Sequence, residues 1–255
     1  MCLIALAWQV HPRYPLIVVA NRDEFFERPT DPAHWWPDHS SLFAGRDLEG
    51  GGTWLGVTRE GRFAALTNFR DPTRNSPDRR SRGELVVNAL TADDEQSWLG
   101  RLEATAAAYN PFNLLVGNLD QLFVFESTRL KLRPVPPGIH GLSNHLFNTP
   151  WPKLEQARKA LADAIDGIET PADLLQLLND DTPAPDDDLP ITGVPLEWER
   201  RLSSCFIRAP GYGTRSSSVV MFDRNAQCEF AEQTWDPDGT PSGRVFERFS
   251  LSGAS

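Results

Sequence analysis

Residues 1–24 read MCLIALAWQVHPRYPLIVVANRDE. Two apolar, β-prone runs, 3–9 and 15–20, flank a connector that carries two prolines, which predicts a pair of strands joined by a turn. If the two strands are antiparallel neighbours, the end of the second lies beside the start of the first. Arg22 and Asp23, in the polar cluster Asn21-Arg22-Asp23-Glu24, then come close to Cys2. Cys2 becomes the first residue if Met1 is removed, and a side chain as small as Cys permits that removal. A free α-amine titrates at about 7.7–8.0 and can serve as base for its own thiol. Asp23 can orient the α-ammonium, and Arg22 can favour the thiolate. The competing readings are a buried structural cysteine and a structural polar cluster.

Working outward, residues 25–52 are rich in Pro, Asp and aromatics and fit neither period. GTWLGVT and RFAALTN then flank Arg59-Glu60-Gly61 as a hairpin. Helical spacing follows over 82–90 and 93–109, a second hairpin over 112–118 and 121–127, and a further strand over 130–134. Leu154, Ala157, Leu161 and Ile165 mark a third helix, and Thr170-Pro171 should cap a fourth over ADLLQLL. The proline- and aspartate-rich stretch 180–195 reads as a surface loop, either a solvated connector or a segment overhanging a site. CFIRA, SSVVMFD and QCEFAEQ read as the last strands. This order favours an α+β fold of antiparallel sheets with helices on their faces, in a single domain over residues 1–255.

Asn68 ends the predicted strand 63–67, and Asn144 ends the apolar stretch 139–143. An amide at either place can donate to an oxyanion, or serve only as a turn residue. Arg215, just before SSVVMF, can neutralise a substrate carboxylate, brace Asp23 or form a surface ion pair. The run Gly50-Gly51-Gly52 precedes a strand, matches no phosphate-binding pattern, and reads as a tight turn with close backbone approach near Cys2. His34, Trp35 and Trp36 with Phe25 and Phe26 line an apolar pocket or pack in the core. The five histidines show neither HExxH nor CxxCH spacing, so no metal site is encoded locally.

A net charge of −10 disfavours nucleic acid as a partner. No apolar run reaches the roughly 18 residues that span a bilayer. Three cysteines without CxxC spacing argue against a disulfide framework and for a reducing, cytoplasmic setting. Nothing in the pattern reports the oligomeric state.

MCLI at the start, ANRDEFFERP at 20–29, GGTWLGV at 51–57, FAALTNFR at 63–70, GLSN at 141–144 and YGTRSSSVVMF at 212–222 together resemble the NRDE family, also called the transport and Golgi organisation 2 family. The resemblance implies the four-layer αββα sandwich of N-terminal-nucleophile hydrolases and a likeness to cysteine members such as choloylglycine hydrolases and penicillin acylases. It places their site roles on Cys2, Arg22, Asp23, Asn68, Asn144 and Arg215. The expected activity is hydrolysis of a linear amide or acyl substrate without a cofactor. The alternative is a non-enzymatic carrier of a hydrophobic ligand such as haem or an acyl-thioester lipid. One departure stands out: the choloylglycine pattern spaces its Arg and Asp three apart, whereas Arg22 and Asp23 are adjacent and point to opposite faces of a regular strand. A bend or bulge is required, or one of the two has another task.

Overall fold

The computed structural model describes residues 2–252. Strands β1 (Cys2–Trp8) and β2 (Leu16–Phe25) open the chain. Seven more follow: β3 (Thr30–Trp36), β4 (His39–Asp47), β5 (Leu55–Thr58), β6 (Phe63–Asn68), β7 (Phe112–Gly117), β8 (Leu122–Glu126) and β9 (Lys131–Pro134). The last are β10 (Gly138–Leu142), β11 (Arg208–Ala209), β12 (Tyr212–Phe222), β13 (Gln227–Trp235) and β14 (Pro241–Ser250). The helices are α1 (Gly83–Thr91), α2 (Glu95–Thr105), α3 (Pro152–Ala164) and α4 (Leu196–Arg201).

Among the described residues these strands form two antiparallel sheets. One has the order β10-β1-β2-β12-β13-β14 with β11 beside β12; the other is the meander β3 to β9. β1 shows why the sheets stack. Ile4, Leu6 and Trp8 face the second sheet and meet Phe43, Leu55, Val57 and Phe63. Leu3, Ala5 and Ala7 face the other way, onto Leu154, Ala157 and Leu161 of α3. A strand buried on both faces reads as an unbroken apolar run, which is what residues 3–8 are. On the far side, Leu42, Ala64, Leu66 and Leu114 carry Leu85, Val86 and Leu90 of α1 and Leu99 and Leu102 of α2. The result is the four-layer αββα arrangement.

The structure corrects several expectations. β2 runs on to Phe25, so Asn21 to Glu24 lie within a central strand instead of at its end. The irregular reading of 25–52 is overturned by β3 and β4, whose register shifts between Asp31 and His34 and between Trp35 and Trp36 break the two-residue period. The fourth helix forms only a 3-10 turn, Pro171–Asp173, although Thr170 and Asp173 do make a capping box. Leu174, Leu175 and Leu178 are all drawn onto the first sheet, and that packing overrides helical propensity. Of CFIRA only Arg208–Ala209 is strand. The short helix α4 and the edge strand β14 were not anticipated; β14 is mostly exposed and carries too little apolar signal. Residues 180–195 do not border the main cleft, so the connector reading fits.

Candidate active site

Antiparallel register sets Cys2 directly opposite Arg22 across β1 and β2. Both occupy positions in phase with Ile4 and Ala20, whose side chains enter the core between the sheets. A cleft of about 440 Å³ opens there, bordered by Cys2, Arg22, Thr53, Asn68, Arg82 and Arg215, among others. Cys2 is 7% exposed, and burial pushes its thiol up to about 11, with the Asp23 carboxylate adding to the rise and Arg22 opposing it. Arg22 therefore does not by itself turn Cys2 into a thiolate, because the cost of desolvating the anion is larger. Met1, whose removal the amine mechanism requires, lies outside the described residues.

Asp23 uses the opposite face of β2. Its neighbour in phase, Asn21, donates to the carbonyls of Leu178 and Cys205 on the α3 side, each at 3.0 Å. Thr214 Oγ1 donates to Asp23 Oδ1 at 2.8 Å, and the Tyr212 hydroxyl donates to the Asp23 carbonyl at 3.1 Å. Burial raises the Asp23 carboxyl, and the ammonium of Lys153 draws it back. The adjacency of Arg22 and Asp23 is thus resolved without a bulge in β2: the two flank the end of β1 from opposite sides of the sheet.

A bulge does occur, but in β12, where the register skips Arg215 between Thr214 and Ser216. Arg215 donates to the carbonyls of Phe25 at 3.0 Å and Arg28 at 2.5 Å, and it lies over the Phe26 ring. It braces the chain leaving β2, while Thr214 takes the Asp23 carboxylate. Asn68 ends β6 at the cleft. Asn144 is fully buried behind it and donates from Nδ2 to the Asn68 carbonyl at 3.1 Å. Of the two candidate amides, Asn68 borders the cleft and Asn144 supports its backbone.

The glycine run reads correctly as a close approach, made against the start of α1: a Cβ on Gly52 would lie 2.4 Å from the Gly83 carbonyl carbon. Trp35 and Trp36 are committed to packing, while Phe25 meets Tyr212 edge-on and stays 51% exposed. Trp36 is buried under Arg46, and Trp35 meets Phe43, Phe249 and Arg59. The three cysteines are free and buried.

Two features escaped sequence reading. Lys153, 1% exposed in the first turn of α3, lies 3.5 Å from Asn144 Oδ1, and its ammonium falls to about 8 through burial and the nearby Arg70. Its signal was available, since Lys153 heads the four-residue row Ala157 and Leu161 on the apolar face. The Arg70–Glu199 ion pair, 2.7 Å long with both side chains 4% exposed, joins segments too distant in sequence to be paired by pattern. Among the described residues no cluster of His, Cys, Asp and Glu could hold a metal ion, and no helix is long and apolar enough to cross a membrane.

Two stacked antiparallel sheets covered by helices on both outer faces form the fold of N-terminal-nucleophile hydrolases. A variant of conjugated bile acid hydrolase from Clostridium perfringens shares it, with a TM-score of 0.50 at 10% identity over 98% of this chain and 92% of that one. The chain belongs to the Transport and Golgi organisation 2 family, whose profile matches residues 1–237. It is 37% identical to the Bos taurus homologue over 92% of this chain and 93% of that protein. The Homo sapiens homologue is 33% identical over 92% and 93% respectively, and the Drosophila melanogaster protein 33% identical over 94% and 95%.

Proposed function

We propose that this protein is a cysteine hydrolase of linear amide or acyl substrates, with Cys2 as nucleophile once Met1 has been removed. The observation that carries this reading is the position of Cys2, at the start of β1, opposite Arg22 and on a cleft of about 440 Å³. A thiol held near 11 by burial needs a base, and the amine on its own Cα is within reach by construction.

In the acylation step the thiol proton passes to the α-amine and sulfur forms a bond to the substrate carbonyl carbon. The C–N bond then breaks, and the departing amine takes that proton. Water hydrolyses the thioester, releasing the carboxylic acid and restoring the thiol. Asp23, held by Thr214, orients the α-ammonium, and the Asn68 amide stabilises the oxyanion, with Asn144 fixing the Asn68 backbone. Arg215 holds the turn after β2. A reducing compartment such as the cytoplasm keeps the thiol available. The carrier alternative draws on fewer residues than the sequence suggested, because Trp35 and Trp36 pack in and around the core while Phe25 stays exposed.

Intact mass followed by brief labelling with a thiol-directed electrophile and peptide mapping tests the reading. Loss of Met1 with Cys2 labelled ahead of Cys205 and Cys228 is expected. Retention of Met1, or an inert Cys2, sinks it.

A further inference from the structure

Six arginines border the Cys2 cleft, in a chain that carries a net charge of −10: Arg22, Arg28, Arg79, Arg80, Arg82 and Arg215. Six carboxylates border it too, so formal charge decides nothing and pairing must be followed residue by residue. Arg28 is held by Asp47 and Glu49, and Arg80 by Glu84. Asp23 faces away toward Thr214, and Glu232 is taken up by the Ala33 N–H and the Ser218 hydroxyl. Burial raises both of these carboxyls above their ordinary values. Glu24 lies among Arg22, Arg28 and the α1 side of the cleft and offsets one guanidinium, and Asp31 stands at the exposed rim.

Arg79 donates to the Ala107 carbonyl and Arg215 to the carbonyls of Phe25 and Arg28, which leaves Arg22 and Arg82 the least committed of the six. Arg22 is 7% exposed, has no ion pair among the described residues, and its Nη1 is buried without a hydrogen-bond partner. Leaving a buried guanidinium nitrogen unpaired is costly unless a ligand completes it. Arg82 sits across the cleft, donates only to the Pro111 carbonyl at 3.2 Å among the described partners, and is within electrostatic reach of Cys2. It is also the N-cap of the nine-residue helix α1, and it borders the cleft together with Ser81 and Gly83, while the Glu84 and Leu85 N–H groups turn back to the Ser81 and Arg82 carbonyls.

We infer that this cleft takes a substrate bearing an anionic group, a carboxylate or a phosphate, gripped between Arg22 and Arg82 at the N-terminus of α1 beside Cys2. The inference deepens the hydrolase reading and rests on it for the identity of the nucleophile. Arg82 is the specificity residue: it lies outside the β1/β2 core, and its planar fork suits an oxyanion.

Two measurements on the full-length protein separate the ideas. The first compares alkylation of Cys2 by iodoacetate and by iodoacetamide, mapped by peptide and normalised to glutathione. The anionic reagent should be favoured, and Arg82→Gln should lower the normalised ratio about tenfold, as loss of one charge-assisted contact does, with Arg82→Lys restoring part of it. The second is ligand-observed NMR with butanoate, inorganic phosphate and uncharged butanamide. At least one anion should bind saturably, butanamide should not, and Arg82→Gln should weaken the anion about tenfold; which anion binds identifies the group. A normalised ratio of one with neither anion bound overturns the inference while leaving Cys2 a nucleophile. An inert Cys2 with an anion still bound in an Arg82-dependent way sustains the anion site and overturns the hydrolase reading instead.

Discussion

The two faces of the first sheet treat buried charge in opposite ways. On the α3 side Arg70 is closed off by Glu199, and Lys153 lies against Asn144 within the field of Asp23. On the cleft side Arg22, no more exposed than Arg70 at 7%, has no ion pair among the described residues; both arginines keep buried nitrogens without a hydrogen-bond partner there, so the ion pair to Glu199 is what separates them. A charge buried with its counter-ion serves architecture, since neither partner is free to bind anything else. A charge buried at the wall of a cleft of about 440 Å³ is held for something that arrives. Cys2 stands on that second side.

The contrast can be broken at either face. The largest effect is expected from Cys2→Ala, which should lower turnover of any amide or acyl substrate by about 10³-fold or more. Its thermal midpoint should stay close to wild type, because a side chain at the edge of a cleft contributes little to the core; substrate turnover and calorimetry together check both. Arg70→Leu should cost about 3–5 kcal/mol in urea unfolding, because Glu199 is left buried without its cation, and Arg70→Leu/Glu199→Leu should recover much of the loss. A double variant as unstable as the single one would show that the pair is not the reason.

Asn68→Ala should reduce kcat about 10²-fold with KM little changed, as loss of one oxyanion donor does. A change confined to KM would move Asn68 from transition-state stabilisation to substrate binding. The smallest expected effect is a pH dependence. Burial holds Lys153 at about 8, below the 10.5 of an unfolded lysine, so between those values the unfolded chain binds more protons and folding gains stability as pH rises. Cys2 works the other way between 9.0 and about 11, since its folded value is raised and the unfolded thiol ionises first. Comparing Lys153→Met with wild type isolates the first contribution: from pH 8 to 10.5 wild type should gain relative to the variant, and parallel curves would contradict it.

What was legible in the chain follows from range. The β1/β2 pair and the grouping of Cys2, Arg22 and Asp23 rest on local periodicity and on one antiparallel neighbour, so a reading along the sequence reaches them, whereas the αββα layering came from the family resemblance. The strands β3 and β4 were missed because bulges destroy the very period that signals a strand, and the ADLLQLL segment was misjudged because its leucines answer to the sheet beneath them. Asn68 and Asn144 were both marked, but only packing could assign one to the cleft and the other to its support.

The sequence by itself determined the fold class, the family and the residues from which a cysteine site can be built, because apolar period and motif order are local properties of the chain. Only the tertiary structure decided that Arg22 and Asp23 serve opposite faces, that burial outweighs Arg22 at the Cys2 thiol, and that Lys153 and Arg82 stand beside the motif residues. Desolvation and charge pairing depend on which distant segments meet, and the order of residues does not state that.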